Sequence, residues 1–316
     1  MRLIRFGVIA DVASTRDELI SLARRVEQIG FSTLLLRDHV IAHPFGHQLG
    51  PLVAMATVAT STTRLRIGTL VISNDFRPPV QLAKEVATLD LVSDGRIELG
   101  LGAGFLKAEY APLGIPFDPP GVRVARLEEA VRLLKRLFAG GDVTHHGRFF
   151  DLEGFDGFPT SVQRPHPPIL IAGSGDRMLG IAAREADIVG IQTVVTTSGD
   201  LEMDPANWLA TTIQRKVDLI RDAAGDRFDD VELNTTVSID ITGDRVAGAR
   251  RAIVEHGWQG VAVADVLEMP ALLIGTPAEI VDQVRQRRDR YGLSYFVVSE
   301  KNVELVAPIV LELSGT

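Results

Sequence analysis

Short apolar segments alternate with longer amphipathic segments along the whole chain. The short segments are rich in leucine and β-branched residues, which predicts β-strands near residues 4–10, 33–37, 66–72, 96–101, 168–172, 187–191, 231–239 and 294–298. The longer segments predict helices near residues 15–30, 50–61, 79–92, 122–139, 176–185, 205–224, 244–256 with 277–291, and 302–313. Most strand segments are apolar throughout, which is typical of parallel strands covered on both faces.

Eight strand-then-helix units predict an α/β fold, a (β/α)8 TIM barrel. A Rossmann-type sheet would need fewer strands and a topological switch. No linker, charge block or low-complexity stretch divides the chain, so we predict a single domain over residues 1–316. Three segments exceed the simple repeat and are expected to form insertion loops at the C-terminal face: 140–167 with a hairpin-like Thr144 to Phe150, 192–204, and 257–275.

Composition narrows the class of protein further. The content of 46% hydrophobic and 23% charged residues suits a large core, and no window approaches a membrane span. The net charge of −8, with arginines spread over amphipathic helices, argues against a nucleic-acid partner. The lack of cysteine excludes disulfides and thiolate chemistry, and with no signal-peptide pattern it predicts a cytoplasmic protein.

Residues that follow the strands are the candidates for chemistry in such a barrel. Here these positions carry polar residues and glycines: Asp11; Asp38 and His39; Ser73, Asn74 and Asp75; Gly102, Ala103 and Gly104; Gly173, Ser174, Gly175 and Asp176; Gln192 and Thr193; Ser299 and Glu300. Asp38 and His39 place a carboxylate beside an imidazole at the barrel mouth, which suits acid–base catalysis. Equally, Asp38 can cap a loop while His39 bonds a backbone carbonyl, and the dipeptide leaves both interpretations open.

Two glycine-rich turns suggest where a ligand binds. The turn from Gly173 to Asp176 lies between a strand and a helix, so its N–H groups and the helix dipole can hold a phosphate. A tight turn that needs glycine only for its backbone angles is the alternative. The run from Gly100 to Gly104 leaves room for a flat ring system, or is simply a loosened turn.

Longer motifs resemble one known family, the bacterial luciferase-like flavin and deazaflavin oxidoreductases, over nearly the whole chain. The resemblance rests on Leu65 to Thr69 running into Arg77-Pro78-Pro79, on Asp94 to Gly104, and on Pro167 to Gly175. Asp38-His39, Arg77 and the segment from Ile274 to Pro277 are most similar to the branch that uses the deazaflavin coenzyme F420. The resemblance therefore implies an oxidoreductase with F420 as its cofactor, with FMN and a monooxygenase reaction as the alternative.

The resemblance also implies where the cofactor lies. Its ring would rest over strands two to four, with His39 near the carbon that exchanges a hydride. From the adjacency of the two residues after strand two, we further expect Asp38 to orient His39. A non-proline cis peptide is implied at Leu70-Val71, behind the ring. The implied cofactor-binding residues are Leu70, Val71, Ser73, Gly102, Ala103, Gly104, Gly173, Ser174, Gly175 and Asp176, the last four for the phosphate.

Two departures concern the substrate. Deazaflavin-dependent sugar-phosphate dehydrogenases of this family carry a Glu directly after the strand-four glycines, where this chain has Phe105, and a Lys after strand six, where it has Gln192-Thr193. These differences argue against a sugar phosphate and favour a less polar small molecule. The resemblance further implies a homodimer.

Other classes of function fit the residues less well. His39, His43 and His47 have a spacing of four, but Pro44 and Gly46 would break a helix there, so we predict no metal site. A Schiff-base lyase would need a lysine in the barrel, and no predicted strand contains one. A non-catalytic cofactor-binding barrel is the remaining alternative, and His39 is the feature that argues against it.

Overall fold

Eight parallel strands close into a barrel, as the sequence predicts. The structure is a computed structural model that describes residues 2–193, 199 and 204–316. The barrel strands are β1 (Arg5–Ile9), β2 (Thr33–Leu36), β3 (Arg66–Thr69), β4 (Ile97–Gly102), β5 (Ile169–Gly173), β6 (Ile188–Ile191), β7 (Glu232–Thr236) and β8 (Leu293–Ser299). Each strand pairs in parallel with the next, and β8 pairs with β1 through Phe296 and Phe6, which closes the sheet.

The helices that surround the barrel begin and end where local signals place them. They are α1 (Arg16–Ile29), α2 (Pro51–Ser61), α3 (Pro79–Val92), α4 (Tyr110–Leu113), α5 (Pro120–Ala139), α6 (Asp176–Glu185), α7 (Ala210–Ala224), α8 (Arg245–Glu255), α9 (Val263–Glu268), α10 (Pro277–Tyr291) and α11 (Val303–Leu313). Thr15 and Thr276 form capping boxes at α1 and α10, and Gly30 ends α1 in the left-handed conformation. In the described part of the chain no helix has the length and apolarity needed to cross a membrane.

Two predicted strands are interrupted. The third strand breaks after Thr69 and resumes at Ile72–Ser73, and the predicted cis peptide is present between Leu70 and Val71. The prediction of one strand over 231–239 is wrong. After β7 the chain leaves the barrel, and Ser238–Ile241 pairs in parallel with Leu272–Gly275 as a separate two-stranded sheet.

The insertions contain more secondary structure than loops would. Segment 140–167 holds the predicted hairpin, with antiparallel strands Asp142–His146 and Asp151–Asp156. Segment 257–275, which we expected to be a loop, contains α9 and the strand Leu272–Gly275, because its apolar residues pack around Trp258 and Met269 in a second small core. Of segment 192–204, residues 194–198 and 200–203 lie outside the described residues.

The barrel interior is layered, because alternate residues of each strand point inward. Its middle layer is apolar and contains Ile9, Leu35, Leu70, Leu170, Ile188 and Val297. Towards the N-terminal ends of the strands an ionic layer follows, in which Arg5 bonds Glu98 and Glu232. Towards the C-terminal ends the same alternation brings Asp11 and Arg37 to the barrel mouth.

Candidate active site

His39 is held at the barrel mouth by a carboxylate from the loop after β4. Its Nδ1 lies 3.1 Å from Oε1 of Glu109, and the Val40 N–H donates to the same oxygen at 2.8 Å. Glu109 is buried, with 3% of its surface exposed. An ionised carboxylate can only accept hydrogen bonds, so Nδ1 carries the proton in this contact. The Nε2 atom of a neutral imidazole is then the one that can accept a proton.

Asp38 does not orient His39, so that prediction is wrong. Its carboxylate accepts from both ends of the Arg77 guanidinium, at 2.5 and 2.8 Å, and from the Ser73 N–H at 3.1 Å. The reason is strand pairing. Leu36 stands opposite Thr69, so the residues that follow β2 and β3 meet at one edge of the sheet. Asp38 therefore fixes the end of the third strand.

Two aromatic rings cover the imidazole of His39. Phe45 stacks on it with centroids 4.3 Å apart and planes inclined by 21°. Phe105 meets it edge-on at 5.8 Å and 78°. Phe105 occupies the position at which related sugar-phosphate dehydrogenases are expected to carry a Glu, so an aromatic ring stands beside the imidazole here in place of a second carboxylate. Such surroundings limit access of water and strengthen the pairing with Glu109.

The end of the third strand presents polar groups that lack partners. Among the described residues, Ser73 Oγ and Asn74 Nδ2 are buried without a hydrogen bond. Ser73 stands opposite Gly102 of β4, and Val71 before it is half-buried. Buried polar groups are normally paired, so these two atoms suit a ligand that carries donors and acceptors. This is where the resemblance places the cofactor ring.

The glycines of β4 allow the third strand to pack closely against them. A Cβ at Gly100 would collide with the carbonyl oxygen of Thr69, and a Cβ at Gly102 would lie 2.7 Å from Cγ2 of Val71. Gly104 has φ +72°, and a Cβ there would collide with the Tyr110 hydroxyl. The space beside these glycines is therefore filled by the protein, and strand packing explains them without a ring system.

A buried network supports the loop that carries Glu109. The Tyr110 hydroxyl donates to Asp75 at 3.1 Å, and Arg126 donates to the other oxygen of Asp75 at 2.9 Å. Burial, helped by Asp75, raises the pKa of Tyr110 to about 12, so the phenol stays protonated. Arg123 also bonds the Gly104 carbonyl. These contacts fix the predicted residue Gly104 and the turn in which Tyr110 follows Glu109.

The turn after β5 leads into α6 with its first amides free of side-chain caps. The N-cap residue is Gly175, which has no side chain with which to cap these amides. Gly173 and Ser174 are half-buried, Gly175 and Asp176 are exposed, and Arg215 pairs with Asp176 at 2.9 Å. The amides and the helix dipole fit a phosphate, with Arg215 offsetting the carboxylate.

Consecutive strands thus bring the predicted residues to one rim of the barrel, from His39 after β2 to Asp176 after β5. The sequence motifs did not predict Glu109, Phe45 or Arg37. Glu109 follows the strand-four glycines by five positions, so its place in the loop after that strand is the signal that marks it. Arg37 continues the alternation of Thr33 and Leu35 into the mouth.

Comparison with known proteins gives the class. The family model described as luciferase-like monooxygenase matches residues 3–201. The F420-dependent glucose-6-phosphate dehydrogenase of Nakamurella multipartita is 32% identical over 287 residues, which cover 87% of this chain and 80% of that protein. A protein of the same name from Beutenbergia cavernae is 30% identical over 278 residues, which cover 85% of this chain and 79% of that protein. The chain therefore belongs to the luciferase-like monooxygenase family.

Solved structures share the fold. The coenzyme F420-dependent tetrahydromethanopterin reductase from Methanopyrus kandleri matches with a TM-score of 0.75 at 20% identity, over 98% of this chain and 99% of that one. An F420-dependent secondary alcohol dehydrogenase in complex with an F420–acetone adduct matches with a TM-score of 0.76 at 18% identity, over 99% and 98%. The predicted barrel and the predicted oxidoreductase family are both confirmed.

Proposed function

We propose that this chain is an F420-dependent oxidoreductase that transfers a hydride between the deazaflavin and a small organic substrate. The observation that carries the proposal is the His39–Glu109 pair beneath two aromatic rings at the barrel mouth. F420 is favoured over FMN because two relatives that match this chain over about four fifths of their own length are named F420-dependent.

The residues that would hold the cofactor lie along the rim. Leu70, Val71 and Ser73 would back its ring. Gly102, Ala103 and Gly104 would contribute from behind that strand, because the two glycines let it pack closely enough to present these residues. The turn from Gly173 to Asp176 would receive its phosphate. The bound deazaflavin supplies the carbon that accepts or gives up the hydride, and the protein supplies position and electrostatics.

His39 handles the proton that accompanies the hydride. When an alcohol is oxidised, its carbon loses a hydride, its hydroxyl loses a proton to Nε2 of His39, and a carbonyl forms. In reduction the same atom returns the proton to the carbonyl oxygen. Glu109 keeps the imidazole in the tautomer that exposes Nε2, and its charge stabilises the imidazolium.

Cofactor titrations test this assignment directly. The apoprotein is titrated with oxidised F420 and separately with FMN, with each cofactor's fluorescence as the readout. We expect F420 to bind at low micromolar concentration or better. Binding of FMN alone would favour the monooxygenase alternative, and binding of neither would refute the cofactor assignment.

A His39→Ala variant separates an enzyme from a carrier. It should bind F420 as the wild type does but lose about 10²- to 10⁴-fold in turnover with any substrate found by screening alcohols and carbonyl compounds. His166→Ala is the matched control, since His166 is also half-buried but bonds the Pro167 carbonyl before β5. Equal turnover in both variants would contradict a role for His39.

The assembly and location of the protein complete the proposal. We propose a homodimer in the cytoplasm, on the support of the family resemblance and the cysteine-free composition. Light scattering on the purified protein should give twice the chain mass of 34.3 kDa. A mass of one chain would contradict the dimer.

A further inference from the structure

Arg37 lies at the barrel mouth with its side chain directed into it. Leu35 belongs to the apolar layer inside the barrel, and alternation along β2 brings Arg37 to the same side one layer higher. Ile9 and Asp11 are related in the same way at the end of β1. The two side chains meet there, with Nε of Arg37 3.4 Å from Oδ1 of Asp11.

This pair leaves most of the guanidinium unused. Among the residues that the structure describes, Arg37 makes no hydrogen bond, and its side chain keeps 20% of its surface exposed. The neighbouring pair shows the contrast. Arg77 binds Asp38 through two nitrogens at 2.5 and 2.8 Å, the bidentate arrangement that a guanidinium and a carboxylate normally adopt. No described residue bonds the two terminal nitrogens of Arg37, which could form such a bond.

Desolvation makes the unused charge costly. Burial lowers the pKa of Arg37, and Asp11 offsets this only in part, because it acts in the opposite direction with the smaller effect. A second carboxylate that met the two free nitrogens would compensate the charge. The planar fork of one guanidinium fits a carboxylate well.

The position of Arg37 relates it to the proton-transfer group. Its guanidinium carbon lies 4.8 Å from the centroid of the Phe45 ring, and the His39 imidazole stacks on that same ring at 4.3 Å. The guanidinium and the imidazole therefore share Phe45 as a neighbour, which places both groups in the same part of the barrel mouth.

We propose that Arg37 binds a carboxylate of the substrate, so that the substrate is a small organic acid carrying a hydroxyl or carbonyl group. The proposal rests on the proposed function for the reaction, but not for the binding of the anion. It refines the expectation of a substrate less polar than a sugar phosphate. The rings of Phe45 and Phe105 would contact the carbon skeleton of the substrate, and the guanidinium of Arg37 would bind its single carboxylate.

The test compares charged and neutral probes of the same shape. Lactate and benzoate, and their amides lactamide and benzamide, are titrated into the F420-loaded enzyme by ligand-observed NMR. We expect the carboxylates to bind at least about tenfold more tightly than the amides, as charge-assisted hydrogen bonds imply. Arg37→Gln should abolish that preference, and Arg37→Lys should restore it only in part, since lysine lacks the fork.

The Asp11→Asn variant distinguishes a binding role of Arg37 from a structural one by the direction in which the preference for acids changes. It removes the carboxylate that competes for Arg37, so it should increase the preference for acids, whereas a merely structural pair would make both variants change in the same direction. Arg16→Gln is the matched control, because Arg16 is 78% exposed and loses the same charge outside the mouth. The F420 affinity should be equal in all variants.

Three outcomes would overturn the proposal: no preference for acids in the wild type, a preference that survives in Arg37→Gln, or an equal loss of F420 and probe binding in that variant. If F420 does not bind at all, the proposed function fails separately. The same probes titrated against the apoprotein then still test Arg37.

Discussion

The two ends of the barrel differ in how completely their buried charged and polar groups are paired. At the N-terminal end, Arg5 binds Glu98 at 2.7 Å and Glu232 at 2.6 Å, and Arg66 binds Glu98 at 2.6 Å. Arg5 also lies over the Tyr295 ring, 3.6 Å from its centroid. Each of these charges has close partners, so this layer closes the barrel without leaving an ion unpaired.

At the mouth the polar groups are only partly satisfied. Among the described residues Arg37 has a single ion pair, at 3.4 Å, and Ser73 Oγ and Asn74 Nδ2 have no hydrogen-bond partner. The same scaffold thus uses buried polar groups for stability at one end and keeps them available for ligands at the other. Substitutions at the N-terminal end should therefore change folding, and substitutions at the mouth should change binding and rate.

Breaking the N-terminal network should have the largest effect on stability. Glu98→Ala leaves Arg5 and Arg66 without their shared carboxylate inside the barrel, which should cost about 3–5 kcal/mol of unfolding free energy. Urea unfolding measures the loss, and F420 affinity per folded molecule should be unchanged. Glu304→Gln, which breaks an exposed pair with Arg25, is the control and should have no measurable effect. Similar losses in both variants would contradict the comparison.

Glu109→Gln should separate rate from stability at the mouth. The amide oxygen can still accept from the Val40 N–H, but the charge that stabilises the imidazolium is lost. Turnover should fall about tenfold to a hundredfold, the worth of one charge-assisted hydrogen bond, with little change in urea unfolding. A loss of stability as large as that of Glu98→Ala would show that Glu109 is structural.

Lys216 is a buried cation that no carboxylate pairs with in the described part of the chain, so it tests how much free energy of unfolding such a charge costs. On α7 it donates to the Gln192 carbonyl at 3.0 Å, and in the described part of the chain it forms no ion pair. Burial, with a smaller effect of Arg215, lowers its pKa from 10.5 to about 8. Between these two values the unfolded chain binds more protons than the folded one, so the contribution of Lys216 to stability improves as pH rises from about 8 to about 10.5.

Lys216→Met should therefore stabilise the protein at pH 7, and its advantage should shrink across that window. Chemical unfolding at several pH values measures both. Lys135→Met is the control, because Lys135 is paired with Glu185 at 3.1 Å and its removal should bring no gain. An advantage that is independent of pH would mean that packing, and not charge, limits stability at this site.

Ser73→Ala should have the smallest effect on stability, and it should separate cofactor affinity from stability most clearly. Its hydroxyl has no partner to lose within the described part of the chain, so the free energy of unfolding should change by no more than about 0.5 kcal/mol. F420 should bind about threefold to tenfold more weakly if the hydroxyl bonds the cofactor. Ser294→Ala removes an equally unpartnered hydroxyl at the start of β8 and should alter neither quantity. Equal F420 affinity in both variants would remove Ser73 from the site.

Patterns local in the sequence determined most of the scaffold. Alternating strand and helix periods placed the eight barrel strands, the hairpin within 140–167 and the His39 position at the mouth. The family resemblance added the cis peptide at Leu70-Val71. The prediction over 231–239 was wrong because an apolar run has the same pattern whether it continues in the barrel or pairs with Leu272–Gly275 outside it.

Only the tertiary structure decided which side chains pair. His39 stands next to Asp38 in the sequence, yet its partner is Glu109, and the partner of Asp38 is Arg77. The glycines of β4 suggested an open space that the third strand fills. Periodicity shows which face of a helix or strand is buried. Side-chain pairing depends instead on the register and closure of the barrel, which bring together Asp38 and Arg77, 39 positions apart, and His39 and Glu109, 70 positions apart.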